Sequence, residues 1–274
     1  MCYDDRKGGD IMKELEMKIA GMIEASGEKV SVLIKELDGQ GRSAAYDSCA
    51  KMPSASTIKV PIMLAALEKV REGQLKLDEK IYVGEELILE GAEAFENGPG
   101  EYSLHELITW MIITSDNTAT NALINLLGME YVNGYMREVL QVKTTVLQRC
   151  MLDKDAVARG LDNYICHDDL LVMFEKLYGG EILTEDLRQT ALDILYSQRH
   201  QDQVLRYIWE PVKYAHKTGS LAGLNHDAGV IHINEGKIYI GVSVYDSPNK
   251  RGNRQLSGNI GRLVYDYLHR IDKV

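Results

Sequence analysis

Ser56 stands three residues ahead of Lys59 in PSASTIKVPIM, residues 53 to 63, where an apolar run predicts a helix. A serine in the first turn of a helix gains from the partial positive charge of the N-terminus, and its backbone N–H can face an oxyanion forming on an attacked carbonyl. A lysine one turn on can bring its amine to that hydroxyl. To act as a base the amine must lose its charge, which burial or a second cation promotes. The chemistry on offer is acyl transfer to an activated serine. Spacing by itself is weak evidence, because Ser26 with Lys29, Ser48 with Lys51 and Ser247 with Lys250 share it. On spacing alone Ser56 is better read as a helix N-cap.

Two further stretches shift that balance. In MIITSDNTATNALI, Ser115, Asp116 and Asn117 interrupt an apolar helical pattern, and capping accounts for only one of the three. In AHKTGSLAG, Lys217, Thr218, Gly219 and Ser220 end a predicted strand, with Gly219 allowing a ligand backbone to come close; a solvated strand end is the alternative. Average residue usage yields each triplet in about one chain in twenty. Both together, behind a helix-start serine and lysine, point to one site.

The elements that must position these residues follow from periodicity. Ile11, Met12, Leu15, Ile19, Met22 and Ile23 recur at helical spacing, and KVSVLIKEL, the turn DGQG and SAAYDSCAKM read as a β-hairpin. From Thr57 to about Tyr196 the pattern is helical, clearest at 57–72, 104–127 and 168–178, with a glycine-containing break at GAEAFENGPGEY. After Pro211 strands return in VKYAHKTGS, HDAGVIHI and KIYIGVSVY, the last two joined by Asn234, Glu235 and Gly236, before an amphipathic helix at about 256–270. The expected fold is a two-lobe α/β architecture, with a mainly antiparallel sheet flanked by the terminal helices and an all-helical lobe. Residues 1–55 and 197–274 are expected to form the sheet lobe and 56–196 the helical lobe, with the active site between them.

With 274 residues, 45% of them hydrophobic, the chain can bury a large core, and a monomer is the expected state. The formal charge of −10, with basic residues dispersed, argues against a nucleic-acid partner. No apolar stretch approaches the roughly 20 residues of a membrane helix. MCYDDRKGGD lacks the hydrophobic region of a secretion signal, so the cytoplasm is expected, or the periplasm or exterior if a leader has been removed. Cys2, Cys49, Cys150 and Cys166 form no CxxC pair and read as reduced thiols.

The ordered set SxxK, SDN and KTG resembles the serine penicillin-recognising enzymes, and among them the class A β-lactamases. KMPSASTIKVPIMLAALEKVREGQLKLDEKI is similar to that family's nucleophile helix, LHELITWMIITSDNTATNALINLLG to its SDN helix, and HKTGSLAGLNHDAGVI to the strand that walls its active site. The resemblance covers most of the chain from about residue 30 onward. It implies a β-lactamase/transpeptidase-like fold and a small-molecule β-lactam, peptide or ester substrate, with no cofactor and no metal. By motif position it also implies roles. Ser56 is the acylated nucleophile and Lys59 its general base, alone or shared with a water. Ser115 relays a proton to the leaving nitrogen. Lys217 binds a substrate carboxylate, with Thr218 as its hydroxyl partner. Asn117 binds an acylamido side chain and helps hold Lys59, while Asp116 ties the loop to backbone. The N–H groups of Ser56 and Ser220 form the oxyanion hole.

One departure stands out. Class A enzymes carry a glutamate that activates the deacylating water on a loop that corresponds here to VLQRCMLDKDAVARGLDN. If Arg149 matches the arginine opening that loop, Met151 falls where the glutamate belongs, and a thioether cannot accept a proton. Asp153 or Asp155 is the only nearby substitute, and a loop-bracing aspartate is the plainer reading. Acylation is expected to survive and deacylation to be slow. A penicillin-binding-type peptidase or esterase, acylated but not turning β-lactams over, is therefore the alternative, and a non-enzymatic binding module is a third reading. His167, Asp168 and Asp169 read as helix-start chemistry, not a metal site. On one strand only His226 and His232 share a face, with Asp227 on the other, which is no compact ligand set. His216 is expected to be packed or hydrogen-bonded, and Arg251 and Arg254 to lie in a solvated loop.

Overall fold

The computed structural model describes residues 5–38, 41–233, 236–249 and 253–271. Helix α1 (Asp5–Ser26) leads into β1 (Lys29–Glu36) and β2 (Ser43–Tyr46). Met12, Leu15, Ile19 and Ile23 form the buried stripe that makes α1 a helix laid on a sheet. A short strand β3 (Met52–Pro53) and a 3-10 turn over Ala55–Ile58 precede α2 (Lys59–Arg71). Then come β4 (Lys80–Val83), β5 (Gly100–Ser103), α3 (Leu104–Ile113), α4 (Asn117–Leu127), α5 (Met129–Tyr135), α6 (Lys154–Ala158), β6 (Tyr164–Ile165), α7 (His167–Gly179) and α8 (Glu185–Tyr196). The chain returns to the sheet with β7 (Lys213–Leu221), β8 (Leu224–Ile233) and β9 (Gly236–Tyr245), and α9 (Arg254–Ile271) completes the described part.

The sheet has five strands in the order β2-β1-β9-β8-β7, every neighbouring pair antiparallel. Its first and last thirds of the chain meet where β1 pairs with β9, from Lys29 opposite Tyr245 to Glu36 opposite Ile238. That pairing leaves β7 on the edge that faces the helices. Strand alternation divides the core in two. Val30, Val32, Ile34, Ile240 and Val242 pack under α1 and α9, whereas Leu33, Val230 and Tyr239 face the helical layer with Phe174, Met111 and Leu123. Helix α2 is buried all round from Val60 to Leu67, as the central helix of that layer.

Two expected helices differ in detail. The stretch read as one helix over 104–127 is two, α3 and α4, because Ser115 adopts a left-handed φ of 59° and Asp116 starts a new helix by accepting the Ala119 N–H at 2.8 Å. The stretch read as 57–72 opens as a 3-10 turn at Ala55 and becomes α-helical at Lys59. The turn residues Asn234 and Glu235, like Gly39 and Gln40 of DGQG, lie outside the described residues. No helix among the described residues is long and apolar enough to cross a membrane.

Candidate active site

The segment carrying Ser56 is held by its backbone. Ser54 donates its N–H to the Asn163 carbonyl at 2.7 Å, and its own carbonyl accepts from the Thr57 N–H at 3.0 Å and the Thr57 hydroxyl at 2.6 Å. Between them Ala55 is held at a φ of 45°, a conformation that non-glycine residues rarely adopt without surrounding contacts to enforce it. Ser56 is half-buried and caps neither helix: the N-cap positions of the 3-10 turn and of α2 are Ser54 and Ile58.

Lys59 is fully buried at the start of α2. Spacing predicts that its amine meets the Ser56 hydroxyl, but the bonds it makes among the described residues go to the SDN segment. They reach the Ser115 carbonyl at 2.7 Å, the Asn117 Oδ1 at 2.8 Å, the Ser115 hydroxyl at 3.2 Å and the Asp116 carbonyl at 3.4 Å. The left-handed turn at Ser115 is what aims two carbonyls and a hydroxyl at one cation. From the sheet, Lys217 reaches the same hydroxyl at 3.0 Å. Both cations donate to Ser115 Oγ, so its own hydrogen is left to point into the cleft. Burial, then the Lys217 charge, holds the Lys59 pKa well below the usual lysine range, and burial lowers Lys217 to about 7.

Lys217 also donates to the Thr218 carbonyl at 2.7 Å, so its Thr218 partner is backbone where the sequence suggests the hydroxyl. That carbonyl lies on the free edge of β7. Because N–H and C=O of one residue share a direction and successive residues alternate, the N–H of Ser220 lies on that edge too. Gly219 serves the chain itself rather than a ligand: a Cβ there would sit 3.0 Å from Ala55 Cβ and 3.0 Å from the Ser56 nitrogen. The missing side chain lets β7 come against the Ser56 backbone. Arg254, at the start of α9, donates to the Ser220 hydroxyl at 3.4 Å and the Asn225 Oδ1 at 3.3 Å and pairs with Asp202, so it is not the solvated loop residue expected; Arg251 lies outside the described residues.

The loop from Arg149 to Asp162 is closed by an ion pair between those two residues at 2.7 Å. Inside it the Met151 backbone is clamped by Asn121, whose Oδ1 accepts the Met151 N–H at 2.7 Å and whose Nδ2 donates to the Met151 carbonyl at 3.2 Å. Met151 is buried and lines a cavity of about 230 Å³ with Ser56, Asn117, Leu152, Val157 and Leu221. Asp153 borders the same cavity, but its carboxylate is occupied in capping α6 through the Ala156 N–H at 2.8 Å, and Asp155 is exposed. A second cavity of about 320 Å³ opens on the other side of Ser115 and Asn117, walled by Glu90, Glu93, Arg199 and His200.

Elsewhere, His216 Nδ1–H donates to the carboxylate of buried Asp227 at 2.7 Å, packed away from the cleft as alternation predicts. Asp169 accepts three backbone N–H groups from Lys143, Thr144 and Thr145, bracing a loop. His226 and Asp227 point to opposite faces, and His232 bonds Tyr178 and Tyr196. Asn121 is the site residue that sequence reasoning missed. Its signal was its place one helical turn after Asn117, on the same face of α4.

Residues 14–268 match the model of the Beta-lactamase enzyme family. A β-lactamase of Bacteroides uniformis is 25% identical over 287 residues, spanning 94% of this chain and 92% of its own. The crystal structure of a β-lactamase from Chitinophaga pinensis superimposes with a TM-score of 0.86 at 22% identity, over 93% of this chain and 99% of that one. A leucine-to-glutamate mutant of PBP-A, solved as an acyl-enzyme complex with penicillin G, gives a TM-score of 0.85 at 26% identity, over 94% and 97%. With that match running nearly end to end around a serine, two lysines and the SDN turn, the chain belongs to the Beta-lactamase enzyme family.

Proposed function

We propose that the protein is a class A β-lactamase-like serine hydrolase that acylates quickly and deacylates slowly. The observation that carries this is the convergence of two buried lysines on the Ser115 hydroxyl beside Ser56. Lys59, whose pKa burial and the Lys217 charge lower, takes the Ser56 proton when in its neutral form, directly or through a water, as Oγ attacks the β-lactam carbonyl. The N–H groups of Ser56 and Ser220 receive the oxyanion; losing one such donor typically costs about 100- to 1,000-fold. When the C–N bond breaks, the Ser115 hydrogen goes to the departing nitrogen and Lys59 returns its proton to Ser115. Lys217 holds the substrate carboxylate and Asn117 the acylamido group.

The acyl half then lies toward the apolar cavity of Met151, Leu152, Val157 and Leu221, and the departing half toward the polar cavity beyond Ser115. Hydrolysis of the ester needs a base for water. On this reading Met151, a buried thioether on the Ser56 cavity, takes the place of that base, and general-base catalysis is worth about 100- to 10,000-fold. Met151 also favours a second reading, a penicillin-binding-type peptidase or esterase that β-lactams trap; a structural neighbour, the PBP-A mutant, was itself captured with penicillin G attached.

A chromogenic cephalosporin assay of the native protein beside Ser56→Ala is the test. The expected result is a burst of about one equivalent, a slow steady state, a persistent adduct on Ser56 by mass spectrometry, and neither burst nor adduct in Ser56→Ala. Met151→Glu should raise the steady-state rate. Rapid sustained turnover by the native protein would refute slow deacylation, and absence of any adduct would refute the enzymatic reading in favour of a binding module.

A further inference from the structure

Beneath the nucleophile segment runs a buried file of polar side chains that the proposed chemistry does not use. His226 Nε2 lies 2.8 Å from the Pro53 carbonyl, and His226 Nδ1 lies 2.5 Å from the Ser243 hydroxyl. The Ser243 oxygen lies 2.8 Å from His167 Nε2, and His167 Nδ1 lies 3.3 Å from the Tyr239 hydroxyl, which also reaches the His167 carbonyl at 3.3 Å. All four side chains are within 1% of complete burial. Burial pushes the rings down to about 4 for His226 and about 3 for His167, so both are neutral near pH 7.

With neutral rings only one arrangement of hydrogens satisfies the file. A carbonyl accepts and never donates, so His226 carries its hydrogen on Nε2 and its Nδ1 must accept from Ser243. The Ser243 oxygen is then free to accept from His167 Nε2–H, which leaves His167 Nδ1 as the acceptor nitrogen facing the Tyr239 hydroxyl. From His167 to Pro53 every bond points the same way, and the file ends on Pro53, three residues before Ser56. Two glycines make room for it. A Cβ on Gly241 would fall 2.3 Å from His167 Nδ1, and Gly219, directly opposite His226 in the β7–β8 register, admits Ala55 and the Ser56 nitrogen.

We propose that His226, backed by Ser243 and His167, is a positioning residue for the nucleophile: it fixes the Pro53 carbonyl, and thereby the strained turn at Ala55 that presents Ser56 to its substrate. This rests on the acyl-transfer reading above. Neither histidine touches substrate, so the role shows in the rate constant of acylation and not in binding, and a misplacement of about 1 Å can cost about 100-fold.

The test is single-turnover acylation by penicillin G, followed by mass spectrometry, for the wild type, His226→Leu and His226→Gln, with melting temperatures for each. His226→Leu should acylate about 10- to 100-fold more slowly at saturating penicillin with little change in the half-saturating concentration. His226→Gln, whose amide N–H can still reach Pro53, should recover most of that loss. A folded His226→Leu as fast as wild type, or a folded His226→Gln as slow as His226→Leu, would overturn the proposal. If His226→Leu does not fold, Ser243→Ala against His226→Gln supplies the comparison. Ring nitrogen-15 NMR of the unaltered protein should find both histidines neutral with the hydrogen on Nε2; hydrogen on Nδ1 of His226 would overturn it. No adduct on the wild type would sink the acyl-transfer reading and the positioning role with it, while the ring spectra still report whether the file itself exists.

Discussion

Ser115 Oγ accepts from a lysine amine on each side, and that arrangement ties reactivity to pH. Free Lys217 loses its charge near pH 7, while Lys59 is pushed well below its usual range by burial and by Lys217, so the two titrate as a coupled pair. In the proposed mechanism the productive state has Lys59 neutral and Lys217 charged. The second-order acylation rate, which reports the free enzyme, should therefore fall on the alkaline side through about pH 7. In Lys217→Arg the cation stays protonated, and the alkaline limb should move up by more than about one unit. Stopped-flow acylation across pH checks it, and an unmoved limb would assign that ionisation to another group. At this scale the motif residues were legible in the chain, because covalent chemistry needs particular functional groups at particular spacings. What spacing misjudged was the partner of Lys59. An amine one turn after Ser56 has the reach for it, yet the two carbonyls and the amide oxygen of residues 115–117 are the better acceptors for a buried cation.

Between elements, the close approach of β7 to the 3-10 turn sets the geometry of the proposed oxyanion pocket. Gly219 is the contact point, with Ala55 Cβ and the Ser56 nitrogen each 3.0 Å from where a side chain would begin. Gly219→Val should push the strand from the turn and slow acylation by about 100-fold, while the β7–β8 ladder and the far-UV circular dichroism persist. Acylation at the wild-type rate would show that the two N–H groups need not converge. Sequence signals recovered the helices and strands themselves, since amphipathic periodicity reports which face is buried. They missed the break between α3 and α4, because the apolar period of LHELITWMII resumes in Ala119, Ala122 and Leu123 after the polar SDN, and the left-handed turn at Ser115, held by Lys59 from another helix, is what ends the first helix. The same limit hid Asn121, whose amide matters only once the loop from Arg149 to Asp162 folds over α4.

For the molecule as a whole, the two core layers bury ionisable groups that the unfolded chain exposes. His167 and His226 have folded pKa values of about 3 and about 4, below the ordinary 6.5. Unfolding then takes up protons between those values, so their contribution to stability is complete above about pH 6.5 and is lost progressively as pH falls toward 4 and then 3. The urea midpoint should already decline from pH 8 to about 7, where the unfolded chain protonates lysines that burial discharges in the fold, and drop further below about 6 as the unfolded histidines protonate, and His226→Gln should flatten part of that second drop; equal midpoints for wild type and His226→Gln from pH 6 to about 4 would mean that the His226 ring is not buried neutral. By itself the sequence determined the chemistry, the order of the motifs and the two-lobe plan, because residue type and period are local properties. Tertiary structure alone decided which lysine contacts which hydroxyl, that Met151 faces the cavity of Ser56, and that histidines from β8 and α7 brace the turn before it. Those are contacts between groups up to 173 positions apart, and no local pattern records a distance that only packing creates.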